Sequence, residues 1–283
     1  TQGVSSAASD VYKRQSQGYG WGDYDINFDW HKLMQAKAVE LDRLEGVYHR
    51  ILNEAGVDEL VGTGRLTDPH TVEVDGKAYT AEHILVATGG WPSMPKIEGI
   101  DQVISSNEAL ELKELPKRLV IVGGGYIAVE FAGIFNALGV EVKIIIRANN
   151  ILRGFDDTVR ETLRDEMNKK GVMILSECRI NTIKREANGF SLRVDQGETL
   201  ETDLVMYATG RQPNTAGLGL EEIGVELAGN GAIVVDAYSQ TTVENIYAIG
   251  DATDRINLTP VALEEGMAVA ETLYGCLLYT SDA

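Results

Sequence analysis

The chain has 283 residues, 44% hydrophobic and 24% charged, which is ordinary globular usage and excludes a disordered, collagenous or disulfide-stapled miniprotein. Its 43 acids against 25 bases give a net charge of −18, a field that repels nucleic acid and anionic membrane surfaces. Phosphate-bearing ligands stay within reach, because a few arginines and backbone amides can hold an anion locally.

Residues 1–15, TQGVSSAASDVYKRQ, have no apolar period and no caps, and the last eight, CLLYTSDA, break off an amphipathic helix. Both strings resemble translated adapter read-through, so the native part is expected to span about 16–275. Asp29 is placed as the N-cap of a helix from about Trp30 to Asn53. Leu33, Lys37, Leu41, Leu44, Tyr48 and Ile51 recur at spacings of three and four, which predicts one buried stripe, and Gly56 suits a left-handed C-terminal residue. The segment TVEVDGKAY alternates around Asp75-Gly76, a type I′ hairpin signal, and a strand HILVATG follows. From Arg118 to Ile146 a βαβ unit is expected: RLVIV is too short an apolar run for a helix, GGGYIAVEFAGIFNALG has helical period, and VEVKIII is β-branched. A helix near Asp157–Lys170 comes next. Val172 to Asp203 then breaks at Asn188-Gly189 and Gln196-Gly197, which predicts a three-stranded insertion before the strand DLVMYATG. The remainder reads as a strand AIVVD, a strand NIYAIGD and a helix from about Thr259-Pro260, where proline suits the first turn.

The chemistry starts at Gly123-Gly124-Gly125-Tyr126-Ile127-Ala128, which fits G-x-G-x-x-A between a strand and a helix. Gly123 permits the tight turn, Gly125 lets backbone approach a pyrophosphate, and Ala128 lets the helix pack on the strand. Packing alone is the competing reading of such glycines. At the end of the second strand an NAD site places an acid for the ribose hydroxyls. Ile146 and Arg147 stand there instead, with Arg153 six residues on, so a 2′-phosphate partner is expected and NADPH is preferred to NADH. Solvated surface arginines are the alternative.

Two cysteines, Cys178 and Cys276, form neither a disulfide framework nor a zinc site. His31, His49, His70 and His83 lack ligand spacing, so no metal is expected. No run of 18 apolar residues and no signal peptide is visible, which makes a cytoplasmic location the expectation.

At this point the chain resembles the NADPH-dependent flavin disulfide reductases, glutathione reductases closely among them. GYGW with the FDW helix start, ILVATGGWPSMPKIEG, VIVGGGYIAVEFAG, ILRGFD, YATGRQPNT, TTVENIYAIGD and LTPVA carry the resemblance in order, over nearly all of 16–275. It implies a doubly wound, Rossmann-like α/β fold with a β-meander insertion and the cofactors FAD and NADPH. Asp251 then corresponds to the acid on the flavin ribityl chain, Thr259 to a flavin-ring contact and also a suitable N-cap, and Gly64 to a backbone contact at the adenine end of FAD. Tyr126 matches the tyrosine that covers the nicotinamide pocket, and Glu130 an acid near the flavin. Gly124, Ile127 and Gly210 match backbone contacts to the nicotinamide dinucleotide, with Arg211 beside it and Asn257 at another nicotinamide-side position. Tyr19 corresponds to a tyrosine lining the pocket for glutathione disulfide. Met267 stands where some members have an arginine that anchors the tripeptide carboxylate.

The family passes electrons to a C-x4-C pair and takes a proton from a C-terminal histidine; neither occurs in this sequence. Cys178 lies in the insertion, away from any partner, and reads as structural. The chain is therefore expected to be an interior fragment, inactive alone, of a homodimeric glutathione-disulfide reductase. The expected division is 16–86 and 214–275 as two pieces of an FAD domain, 87–213 as an NADPH domain, and non-native tails at 1–15 and 276–283. A dihydrolipoyl dehydrogenase, a thiol-free flavin enzyme and a non-catalytic dinucleotide-binding module stay open.

Overall fold

The computed structural model describes residues 28–195, 197–275 and 280. In chain order the elements are α1 (Trp30–Glu54), β1 (Gly64–Asp68), β2 (Thr71–Val74), β3 (Lys77–Thr80), β4 (Ile84–Val86), β5 (Gly90–Pro92), α2 (Ser106–Ala109), β6 (Arg118–Val122), α3 (Tyr126–Ala137), β7 (Glu141–Ile145), α4 (Asp157–Lys169), β8 (Met173–Leu175), β9 (Ile180–Glu186), β10 (Gly189–Val194), β11 (Thr199–Thr202), β12 (Leu204–Tyr207), β13 (Arg211–Pro213), β14 (Ile246–Ala248) and α5 (Thr259–Tyr274). No helix among the described residues is long and apolar enough to cross a membrane. The chain forms two compact units, residues 28–47 with 94–210, and residues 48–93 with those from 211 on.

The first unit is built on a four-stranded parallel sheet in the order β12-β6-β7-β8. Leu119, Ile121, Val142, Ile144 and Met206 point to the side where Ala128, Ala132 and Phe135 of α3 pack. Val120, Ile145, Val205 and Tyr207 point the other way, onto Ile183, Phe190 and Leu192 of the antiparallel meander β11-β10-β9. Both faces of β6 are thus covered, which is why RLVIV is apolar without alternation. The meander turns where Asn188-Gly189 and Gly197 were expected to turn it, with Gly189 at φ 126° and Gly197 at φ 82°. Met173–Leu175 is a correction: this segment does not join the insertion but extends the parallel sheet beside β7. Its three residues follow the helix α4, so it closes a second βαβ crossover. Cys178 is buried among the apolar meander residues, and burial pushes its thiol up, so it stays protonated. Burial likewise pushes the Tyr207 hydroxyl up to about 12.

Asp29 caps α1, accepting from the Lys32 amide at 3.1 Å. At the other end Gly56 has φ 73°, and the amides of Val57 and Gly56 donate to Leu52 and Asn53, a Schellman closure. The expected buried stripe of this helix needs correction. Leu33, Leu41, Tyr48 and Ile51 are 42–66% exposed, and only Lys37 and Leu44 of the six are half-buried, Lys37 donating to Glu111 and to the Leu110 carbonyl. In the first unit the helix is held instead by Trp30, which is buried, donates from Nε1 to the Leu112 carbonyl at 2.8 Å, and lies against Phe135.

The second unit contains the meander β1-β2-β3, the parallel pair β14-β4 and the antiparallel pair β13-β5. Asp75 and Gly76 both have positive φ, 50° and 81°, as a type I′ hairpin requires. Leu66, Ile84, Val86, Leu220, Val225, Ile233, Ile246 and Ala248 make its core. The predicted strand AIVVD is not formed. Its Ile233 amide donates to Ala252 and its Val234 amide to Glu226, so the backbone is used against neighbouring loops and only a single bridge, Leu227 with Ile233, remains.

Arg118 and Asp203 tie together the entries of β6 and β12. The Arg118 amide, Nε and Nη2 donate to the Asp203 carboxylate at 2.9, 3.1 and 2.7 Å, and these bonds hold its carboxyl below the usual aspartate range. A carboxyl whose folded value is depressed contributes stability that is present above its unfolded value and is lost as pH falls through the folded one. Asp203→Asn is therefore expected to lower Tm near neutral pH and to converge on the parent chain as pH falls below the ordinary aspartate range. A gap that stays constant over that range in thermal unfolding would contradict the assignment.

Candidate functional site

In the first unit the chain leaves β6 at Val122 and enters α3 at Tyr126 through the three glycines. Gly123 has φ 135°, and a Cβ there would overlap the Ala208 carbonyl oxygen, so only glycine fits. A Cβ at Gly124 would press on Ile146 at 3.0 Å. Gly125, the N-cap, is exposed, meets nothing within 4 Å of a Cβ position and supplies no side-chain cap. The first-turn amides of α3 thus have an open side and the positive end of the helix dipole behind them, the arrangement that holds anions. Ala128 is fully buried against the sheet.

The same corner receives the end of β7. Ile146 is buried and Arg147 exposed; the Leu152 amide donates to the Gly124 carbonyl at 2.6 Å, and the exposed Arg153 follows. That bond fastens the arginine-bearing loop to the glycine turn. Neither guanidinium has an ion-pair partner among the described residues. Tyr126 and Glu130, one turn apart on α3, are both exposed, and Ile127 is half-buried. Gly210 follows β12 with φ 130° and open space at its Cβ position.

The second unit holds a second constellation. After β14 the chain turns through a 3-10 segment, Gly250–Thr253, that carries Asp251. Arg211 on β13 pairs with Asp251 at 3.5 Å and donates from Nη2 to the Gly90 carbonyl of β5. Asn257 donates to Asp254 at 2.8 Å, while its own Oδ1 is buried without a partner among the described residues. Thr259 does not cap α5. The N-cap is Leu258, extended at φ −131° and ψ 133°, which leaves Thr259 as the first helical residue, exposed, with no capping bond. Gly64 opens β1, and Met267 is 64% exposed on α5. Tyr19 lies outside the described residues. Among the described residues no three His, Cys, Asp or Glu side chains converge as a metal site.

Sequence reasoning missed Glu265 and Arg255. Glu265, buried on α5, accepts from the Gly250 amide at 2.7 Å and forms an ion pair with Arg255 Nη2 at 2.8 Å. The available signal was an acid at a position where helical spacing to the buried Ala268 and Val269 calls for an apolar residue.

A glycine-turn Rossmann unit beside unpaired arginines, and a strand-ending Gly-Asp turn in the second unit, define a dinucleotide-binding α/β protein. A family model described as pyridine nucleotide-disulphide oxidoreductase matches residues 5–266, and the chain belongs to that family. It is 48% identical over 262 residues to the chloroplastic/mitochondrial glutathione reductase of Pisum sativum, covering 92% of this chain and 48% of that protein. It is 43% identical over 279 residues to the trypanothione reductase of Trypanosoma congolense, covering 93% and 56%. Among solved structures, the HOCl-induced flavoprotein disulfide reductase RclA from Escherichia coli superposes with a TM-score of 0.86 at 31% identity, over 90% of this chain and 60% of that one. The chain spans about half the length of the curated relatives it matches.

The two ends of the glycine turn separate folding from binding. Gly123→Ala is expected to destabilise by about 1–3 kcal/mol, since it forces a side chain into a positive-φ position against a carbonyl. Gly125→Val, with open space at its Cβ, should leave Tm nearly unchanged and weaken dinucleotide binding by obstructing approach to the amides. Thermal unfolding beside a nucleotide titration checks both, and equal behaviour of the two variants would contradict the division of roles.

Proposed function

We propose that the protein to which this chain belongs reduces glutathione disulfide with NADPH through bound FAD, as a cytoplasmic homodimer. Residues 87–213 are assigned as the NADPH domain, and 16–86 with 214–275 as two pieces of the FAD domain. The observation that carries the reading is the pair Arg147 and Arg153, unpaired and fastened through Leu152 to a glycine turn whose helix amides are open. In this reading Gly123, Gly124, Gly125 and Ala128 shape the cradle for a pyrophosphate, with the α3 amides donating to it. Arg147 and Arg153 take the 2′-phosphate. Ile127 and Gly210 line the nicotinamide side, Tyr126 covers it, and Glu130 stands one turn further on; for Asn257 the nicotinamide-side role rests on the resemblance alone. Asp251 accepts from the ribityl hydroxyls of FAD, Thr259 faces the flavin ring and Gly64 the adenine end.

When bound, the two cofactors supply hydride and electron transfer. The chain's own part is to bind and orient them, since these 283 residues hold no C-x4-C pair to carry electrons to a disulfide. The resemblance puts Arg211 beside the nicotinamide dinucleotide, and its guanidinium is engaged with Asp251 and the Gly90 carbonyl. Support for the glutathione substrate comes from overall similarity. Met267 supplies no charge for a tripeptide carboxylate, and this favours a different disulfide as the second reading.

Each charge-assisted bond to a phosphate is worth roughly 1.5–3 kcal/mol, and tenfold in affinity is about 1.4 kcal/mol. The chain is therefore expected to bind NADPH at least tenfold more tightly than NADH by calorimetric titration. Replacing both Arg147 and Arg153 with alanine should remove that preference while leaving NADH affinity within about twofold. Equal affinities in the parent chain, or an unchanged preference in the double variant, would overturn the assignment. A separate assay concerns the missing dithiol: the 283-residue polypeptide should show no NADPH-dependent reduction of glutathione disulfide, and measurable turnover would refute this.

A further inference from the structure

Among the described residues Glu265 is the only charged residue buried to 2% exposure. It sits on α5 in line with the buried Ala268 and Val269, where an apolar side chain would satisfy packing. A carboxylate is retained in such a place only where its partners offset the loss of water. Both partners lead to the Gly-Asp turn. The Gly250 amide donates to Oε2 at 2.7 Å, and Arg255, just past the turn, forms an ion pair with Oε1 at 2.8 Å while its Nη2 donates to Ser239 Oγ at 3.0 Å. The backbone is closely fitted there as well. Gly250 has φ 65°, a Cβ on it would lie 3.1 Å from Ala262, and one on Gly266 would lie 3.3 Å from Ile249.

We infer that Glu265 is a positioning residue for Asp251. Its carboxylate grips the amide directly before Asp251, and its pairing with Arg255 holds the far end of the same turn. The hydrogen bond and the ion pair together fix where the Cα–Cβ bond of Asp251 points. On the other side of Asp251 the Arg211 guanidinium meets the carboxylate itself. The direction of the ligand-facing acid is thus set from a neighbouring helix, by a residue that meets no ligand. The inference rests on the reading of Asp251 as the acceptor for the FAD ribityl chain, and its test has one arm that does not depend on that reading.

The test uses the whole chain with Glu265→Ala, Glu265→Gln, Asp251→Asn and the double variant Glu265→Ala/Asp251→Asn. FAD binding is read by flavin fluorescence quenching, and amide hydrogen exchange of the 248–255 segment by mass spectrometry. Glu265→Ala is expected to weaken FAD at least tenfold, and the double variant to bind little worse than Asp251→Asn alone, since both changes remove one interaction. Glu265→Gln keeps an acceptor for the Gly250 amide but not the charge opposite Arg255, so it should fall between the parent and Glu265→Ala. Exchange of the turn amides should rise at least tenfold in Glu265→Ala while the 119–128 segment is unchanged. Parental FAD affinity in Glu265→Ala, losses that add in full, or unaltered turn exchange would overturn the inference. If the parent chain itself binds no FAD, the flavin reading fails, and the exchange arm alone then decides: faster turn exchange retains the clamp, and unchanged exchange removes it. Should Glu265→Ala not fold, Glu265→Gln carries the same decision, with parental affinity and exchange counting against the clamp.

Discussion

The meeting of Gly123 with the Ala208 carbonyl is the constraint on which the first unit's chemistry depends. Two parallel strands, β6 and β12, end side by side, and the chain leaving β6 has to turn within one residue of its neighbour's backbone. Only a glycine at positive φ makes that turn. Once it is made, α3 starts at once, its amides face away from the sheet, and Ala128 lets the helix lie flat on Leu119 and Ile121. Sheet packing and anion affinity are therefore two outcomes of a single close approach. The loop after β7 then depends on the same corner, since the Leu152 amide is bonded to the Gly124 carbonyl.

The second unit solves a similar problem by different means. Its Gly-Asp turn also follows a parallel strand, β14, but no helix begins immediately behind it to fix the backbone. The turn is instead bonded within itself, Thr253 Oγ1 to the Gly250 carbonyl at 2.9 Å, and to its surroundings through the Ala252 carbonyl, Glu265 and Arg211. Polar bonds there do what close packing does at Gly123. Polar networks of this kind are specific only when every member is satisfied. This accounts for a buried carboxylate with an amide donor and an ion-pair partner, and for a guanidinium shared between Glu265 and Ser239.

Most of this was readable where local chemistry alone decides the structure. Asp29, Gly56, Asp75-Gly76 and the glycine turn act through their own backbone or nearest neighbours, and the first three form the cap, closure and hairpin that their residue types imply. Readability failed where a distant partner decides. The apolar period of α1 correctly marks a helix, yet period alone does not say what lies against it, and Trp30 with Lys37 anchors it rather than the stripe's leucines. AIVVD has strand propensity, but its amides are taken by Ala252 and Glu226, and β8 was separated from the insertion only by the pairing of Ile144 and Ile145 with its backbone. Thr259 and Leu258 differ by one residue in which backbone is extended, a distinction no residue type encodes. Glu265 was hidden for the opposite reason: an acid in a helix is unremarkable until the fold places an amide and a guanidinium against it.

The distribution of arginines gives the chain's acidity its meaning. In a molecule with 43 acids and 25 bases, a guanidinium has many possible partners, and Arg118, Arg211 and Arg255 have taken Asp203, Asp251 and Glu265. Being unpaired is not by itself a mark of function, since Arg193 on the meander faces Thr182 and Thr199 across the sheet with no acid bonded to it among the described residues. Arg147 and Arg153 differ in what surrounds them. They share a corner with uncapped helix amides and with a glycine whose Cβ position is open, so three features that each favour an anion coincide there. Long-range repulsion from the acidic surface is screened within about 8 Å at physiological salt, whereas the bonds at this corner are direct. The global charge thus discourages polyanions that must lie along an extended surface, and it has little hold on a single phosphate that reaches this one point.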